Sequence, residues 1–182
     1  MKRTLFGLLL LAAGLSLAQG TDYRQAALAA HALARLQAVA QAAQGEEKLL
    51  KWAQEVKARA ERDYEAKAYF KAAREAQAAL LLFRAARGQA APTPPASHRG
   101  WDHRRWDRGP GFGPRPGLEA RLAQRAPGAV ERAEKELAYY RGQDPLVKDL
   151  IAEAKGRLAK EPGRALLLAQ AALALISAER GF

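Results

Sequence analysis

The residues best equipped for chemistry lie together: His98, Arg99, Trp101, Asp102, His103, Arg104, Arg105, Trp106, Asp107 and Arg108, with Trp-Asp pairs recurring five residues apart. Guanidinium groups pair bidentately with phosphate or carboxylate, and indole faces stack on bases or sugars. Arg99, Trp101, Arg104, Arg105, Trp106 and Arg108 are therefore candidate ligands for an anionic polymer such as nucleic acid or an acidic wall polysaccharide, or for lipid headgroups. A purely structural use competes with this one and outweighs it. Asp102 and Asp107 can pair with the neighbouring arginines while the two tryptophans tie the flanking halves together, and basic charge alone speaks only to nonspecific association. His98, Asp102, His103 and Asp107 could also ligate a metal, but no helix is expected there to orient them as zinc chemistry requires. No bound metal or cofactor is expected.

The surrounding composition explains that expectation. Residues 89–117 open with Ala91-Pro92-Thr93-Pro94-Pro95 and close with Pro110-Gly111-Phe112-Gly113-Pro114-Arg115-Pro116-Gly117. Proline and glycine at this density oppose regular structure, so the stretch reads as an exposed linker, longer than packed connections usually are. With five Arg against two Asp it carries +3 of the chain's +11. Elsewhere no Ser-His-Asp set, glycine-rich phosphate loop or nucleophile elbow is found, and the cysteine-free sequence has no thiol nucleophile. Paired carboxylates such as Glu46-Glu47 read as solvated surface. An enzyme is not expected.

The elements that would carry the linker begin with an export signal. Met1-Lys2-Arg3 is positive, Leu5 to Leu17 is uncharged and apolar, and Ser16-Leu17-Ala18 places small residues before a cut between Ala18 and Gln19. The run is short for a transmembrane helix, which needs roughly 20 apolar residues. Residues 1–18 are thus read as a signal peptide, and the remaining chain, at +9 once Lys2 and Arg3 are gone, as periplasmic or secreted without a stable membrane anchor. Lacking cysteine, it must be stabilised by packing alone.

Alanine and leucine dominate the rest and β-branched residues are scarce, which excludes a sheet protein. Residues 76–88, ending Leu80-Leu81-Leu82-Phe83-Arg84-Ala85-Ala86-Arg87-Gly88, recur as residues 169–181 with nine of thirteen positions identical. Going backwards, Gly45 matches Gly142, Leu49 matches Leu146, and Glu55-Val56-Lys57-Ala58-Arg59 matches Glu153-Ala154-Lys155-Gly156-Arg157. Ordered matches of this kind point to an internal duplication. The expected fold is all-α: two related three-helix units, residues 19–88 and 118–182, forming a helical-hairpin repeat or a bundle and joined by the linker.

Within the first unit, helices are expected over Asp22–Gln44 (capped by Thr21 or Asp22, with Leu28 and Leu36 among its apolar positions), from Leu49 to a turn near Asp63, and on to Arg87. In the second, residues 118–124 are helical by propensity, Pro127 opens a new helix ending at Gly142, and Glu161-Pro162-Gly163 separates the last two helices. Trp52 and His31 are read as packing residues. The closing helix pairs, roughly residues 49–88 and 146–181, resemble tetratricopeptide-like hairpins in their small-residue spacing. They lack that family's Trp-x-x-Leu-Gly-x-x-Tyr start and its 34-residue period, so the resemblance implies a hairpin geometry and no function. The functional expectation is a non-catalytic envelope scaffold or interaction protein that binds a protein partner. The alternative is polyanion binding by the linker.

Overall fold

A computed structural model describes residues 20–88, 117–140 and 142–181. Among these the protein is all-helical, with six α-helices: α1 (Gly20–Gln41), α2 (Glu47–Glu65), α3 (Tyr69–Ala86), α4 (Leu118–Tyr140), α5 (Pro145–Arg157) and α6 (Pro162–Arg180). The expected signal segment and all of the expected linker but its last residue, Gly117, lie outside the described residues.

Two helices form the centre. From Ala78 to Phe83 every residue of α3 is buried, as is every residue of α6 from Ala165 to Ala169. A helix apolar all round must be buried all round, and the leucine-rich runs put α3 and α6 in that position. The two pack on each other; α1 and α2 pack on α3, while α4 and α5 pack on α6. The alanines between the leucines, including Ala76, Ala79, Ala169 and Ala172, are fully buried and let the axes come close. A single apolar core runs through both sets of three helices, and a small second cluster joins Leu122 and Ala126 of α4 to Ala165 and Leu166 of α6.

The outer helices bury one stripe each. In α2 it is Leu49, Ala53, Val56 and Ala60, and in α5 Leu146, Val147, Leu150, Ile151 and Ala154. In α1 it is Ala29, Leu33 and Leu36, which leaves His31 and Leu28 exposed. The expected packing roles of those two residues are thus corrected: α1 uses only the face turned to α3 and α2. Trp52 is half-buried and packs against the core, as a packing residue should.

Three boundaries differ from expectation. Helix α1 is already under way at Gly20 and ends at Gln41, so Thr21 and Asp22 lie within it. The α2–α3 turn falls at residues 66–68, three positions beyond Asp63, with Lys67 at φ 62°. Most plainly, α4 runs unbroken through Pro127. Leu122, Ala126, Val130 and Ala133 are buried at four- and three-residue spacing across it, so one continuous stripe on α6 overrides the proline. The intrahelical bond that Pro127 cannot make leaves the Ala123 carbonyl on the exposed face, where water can take it.

Candidate functional site

Pro145 opens α5 and Asp144 caps it, its carboxylate accepting from the Leu146 N–H at 2.9 Å. Arg59, near the end of α2, donates to the same carboxylate at 2.5 Å. In the opposite direction Arg157, the last residue of α5, donates at 2.5 Å to Glu46, the residue preceding α2. Lys48 donates to Glu153 at 2.6 Å between these ends. Helices α2 and α5 therefore run antiparallel and are joined by ion pairs. Burial works against the charge on Arg157, but hydrogen bonds to Glu46, Glu153 and Glu161 outweigh it and hold the guanidinium above its ordinary range. The Glu153 carboxylate is held below its usual range, first by Lys48.

Between α2 and α5 lies an open groove of about 630 Å³, with Trp52, Ala152 and Gly156 among its lining and Lys48, Asp149, Glu153, Arg157, Lys160 and Glu161 as its charged border. The Lys48 ammonium sits 4.8 Å from the Trp52 ring centre, a cation–π contact. The groove thus joins an apolar ring to charges of which Lys48, Glu153, Arg157 and Glu161 are fixed by partners, which suits a side chain or short segment of another macromolecule.

A smaller cavity of about 240 Å³ sits beside the α2–α3 turn, lined by Arg59, Arg62, Asp63, Lys71, Glu75, Asp144, Leu175 and Glu179. Lys71 pairs with Asp63 at 2.9 Å. Glu75 is only 4% exposed, and its carboxyl is pushed up to about 7 by burial and by a hydrogen bond with Asp63. Glu179 is likewise raised, by burial and then by the nearby Asp144 charge. At the far end of α4, Tyr139 stands exposed beside Tyr140, whose ring lies 3.8 Å from the Arg180 guanidinium carbon.

Of the residues that the sequence singles out, Arg99, Trp101, Arg104, Arg105, Trp106 and Arg108, the four metal-ligand candidates, and Ala18 and Gln19 all lie outside the described residues. Among the described residues no group of three or more His, Asp or Glu is arranged to hold a metal, and no helix is long and apolar enough to cross a membrane. Glu46 is not the free surface charge it resembles in sequence: Arg157 and Arg164 both donate to it. Sequence reasoning finds neither the α2–α5 clasp nor the Glu75 cavity. The only signal is the Glu-x-x-x-Arg spacing shared by α2 and α5; Glu75, next to Arg74, reads as an ordinary surface charge. The chain matches no protein-family model, no curated protein and no solved structure.

Proposed function

We propose that this is an exported, non-catalytic scaffold or interaction protein of the bacterial cell envelope, made of two related three-helix units, which binds a protein partner. The carrying observation is the α2–α5 groove: a half-buried Trp52 between charges whose geometry is set by Lys48, Glu153 and Arg157. Amphipathic aromatics that present one face in a fixed pocket are the usual anchors of protein interfaces. The charged residues around it are used to join helices, which is how a rigid binding surface is made. The reading of two related units is supported by the parallel packing of α1 and α2 on α3 and of α4 and α5 on α6, and by left-handed glycines after both central helices, Gly88 at φ 70° and Gly181 at φ 79°. Export is supported by the signal-like residues 1–18 alone.

The test is a photo-crosslinking side chain at Ala152, in the groove, compared with one at Lys67, on the α2–α3 turn, in the native cell. A discrete adduct from Ala152 that Trp52→Ala removes supports the reading. Equal adducts from both positions, or none, overturn it.

A second reading, polyanion binding through Arg99, Trp101, Arg104, Arg105, Trp106 and Arg108, is favoured by the density of arginine and tryptophan in that stretch. Changing Arg99, Arg104, Arg105 and Arg108 to Gln then flattens the salt dependence of binding to labelled duplex DNA, by roughly 0.9 in log–log slope for each phosphate no longer neutralised. A deletion of residues 89–116 separates the two readings. A scaffold keeps its Ala152 adduct, whereas a linker-based binder loses a salt-sensitive affinity.

A further inference from the structure

The α2–α5 groove lies at the end of the molecule where the chain passes out of the described residues. A Cβ on Gly88, the last described residue before residues 89–116, would lie 2.7 Å from the Arg164 guanidinium. Arg164 in turn donates to Glu161 at 3.2 Å, and Glu161 lines the groove with Arg157. The chain re-enters at the same end. Leu122, early in α4, is buried with Ala165 and Leu166 at the start of α6, and Leu158 packs against them. Both ends of residues 89–116 are therefore close to the Arg157–Glu161 end of the groove. Trp101 is thirteen residues from Gly88 and Trp106 eleven from Gly117, so an extended chain gives each a reach of roughly 35 Å or more. The 13-residue α5 is only about 20 Å long, and every part of the groove is within that reach.

The chemistry of the groove selects its occupant. Ala152 and Gly156, one turn apart on α5, are exposed, and nothing lies within 4 Å of a Cβ added to Gly156, so the floor beside Trp52 has room for a ring. Of the charged border, Asp149 and Lys160 form no ion pair among the described residues, whereas Lys48, Glu153, Arg157 and Glu161 do. The groove thus asks for an aromatic ring with a cation and an anion beside it. Trp101-Asp102-His103-Arg104 and Trp106-Asp107-Arg108 each supply a ring, a carboxylate and a guanidinium in that order. With three cations and three carboxylates the lining has no net charge, so such a zwitterionic unit suits it better than a polyanion.

We propose that the groove is occupied by this chain's own residues 101–108, with Trp101 or Trp106 against Trp52, the following Asp paired with Lys160 and the following Arg with Asp149. The inference rests on the reading of the groove as a binding surface and adds the regulation of that surface. A tethered segment competes at an effective concentration on the order of millimolar, so a contact too weak to hold a separate peptide is still populated. An external partner must displace it, and its apparent affinity falls in proportion to the fraction of molecules in which the groove is taken.

The chain has no cysteine and three tryptophans, which makes the test direct. A nitroxide is attached to Ala152→Cys in the groove or, as control, to Ala34→Cys on the exposed face of α1, and the indole N–H signals of the otherwise unaltered chain are recorded. Trp101→Phe and Trp106→Phe assign them. Loss of the Trp101 or Trp106 signal is expected with the label at position 152 and not at position 34. Asp149→Asn combined with Lys160→Gln is expected to restore part of it, as is added salt, since exposed pairs are screened. Linker indoles untouched by the groove label, or affected equally from both positions, overturn the proposal. So does loss seen only when isotope-labelled chains are mixed with separate nitroxide-labelled ones, which would place another copy's segment in the groove. Failure here leaves the in-cell Ala152 adduct standing. Failure of that adduct leaves the indole result standing, because the purified chain needs no partner.

Discussion

Arg59 and Arg157 make the same two contacts in opposite directions. Each donates to a carboxylate four residues earlier on its own helix, Glu55 at 2.7 Å and Glu153 at 2.6 Å, and each reaches across at 2.5 Å to the residue preceding the other's helix, Asp144 and Glu46. A cation placed against the N-terminus of a helix is unfavourable by itself, because that end carries partial positive charge. At α5 the Asp144 carboxylate stands between them and satisfies both, while at α2 the Glu46 carboxylate takes the guanidinium without a cap bond of its own. The α2–α5 face is thus closed by electrostatics while α3 and α6 carry the apolar core behind it.

Removing Arg157 is expected to cost more than removing Arg59. Arg157 has three carboxylate partners, Glu46, Glu153 and Glu161, against two for Arg59, and its side chain is the less exposed. Arg157→Ala is predicted to lower stability by about 2 kcal/mol in urea denaturation, since charge-assisted bonds in partly buried sites exceed surface pairs. In a double-mutant cycle with Glu46→Ala, a coupling of about 1 kcal/mol is expected. A coupling near zero would show that the cross-helix contact does not hold the face.

The Glu75 cavity makes stability depend on pH. The carboxyl titrates at about 7 in the folded chain against 4.5 for the free side chain. Between those values the native state holds a proton that the unfolded state has released. Stability is therefore fully present below the lower value and falls as pH rises from there through about 7. The loss is about 3 kcal/mol for a shift of this size. Glu75→Leu should abolish it and be the more stable protein at pH 8. Urea unfolding at pH 5 and pH 8 on both proteins reads the difference; parallel pH profiles would sink the assignment.

Gly45 and Gly181 separate two reasons for glycine. Gly45 has φ 140°, and a Cβ there would lie 2.1 Å from the Ala86 carbonyl oxygen, which also accepts from the Glu46 N–H at 3.1 Å. Gly181 has φ 79° with nothing within 4 Å of an added Cβ. Gly45→Ala should cost roughly 3 kcal/mol or more, because backbone contact adds to the conformational penalty, and Gly181→Ala only about 1 kcal/mol. Equal melting shifts would contradict the close approach of the α1–α2 connection to the end of α3.

What is legible in the sequence follows from range. The all-helical class, the stripes of α2 and α5 and the separation of α5 from α6 at Pro162 rest on local periodicity and breakers, which act within a few residues. The central place of α3 and α6 is also written there, as leucine-rich runs without charge at Leu80–Phe83 and Leu166–Leu168, but it emerges only when the apolar surface of both helices is set against what must cover it. The Arg157–Glu46 pair spans 111 residues and Arg59–Asp144 spans 85. Beyond the Glu-x-x-x-Arg spacing within each helix, nothing local distinguishes those side chains from ordinary surface ions, so the cross-helix pairing is illegible in sequence. His31 misleads for a related reason: an alanine-rich helix looks apolar on every face until its neighbours choose one.

At Pro127 a local rule and a long-range one disagree. The local rule ends a helix at Gln124 and starts another at Pro127. The long-range one keeps Leu122, Ala126, Val130 and Ala133 in one stripe against α6, and the structure follows it. If α4 is continuous, Pro127→Ala restores a missing backbone hydrogen bond to the Ala123 carbonyl and removes the clash of the ring with the preceding turn. A gain of about 1 to 3 kcal/mol is then expected, with the Leu122 and Ala126 amides better protected from hydrogen exchange. If residues 118–124 instead form a separate helix with Pro127 at the first turn of the next, the proline is well placed. The alanine would then leave stability unchanged or lower it, and would leave exchange at Leu122 and Ala126 as it was.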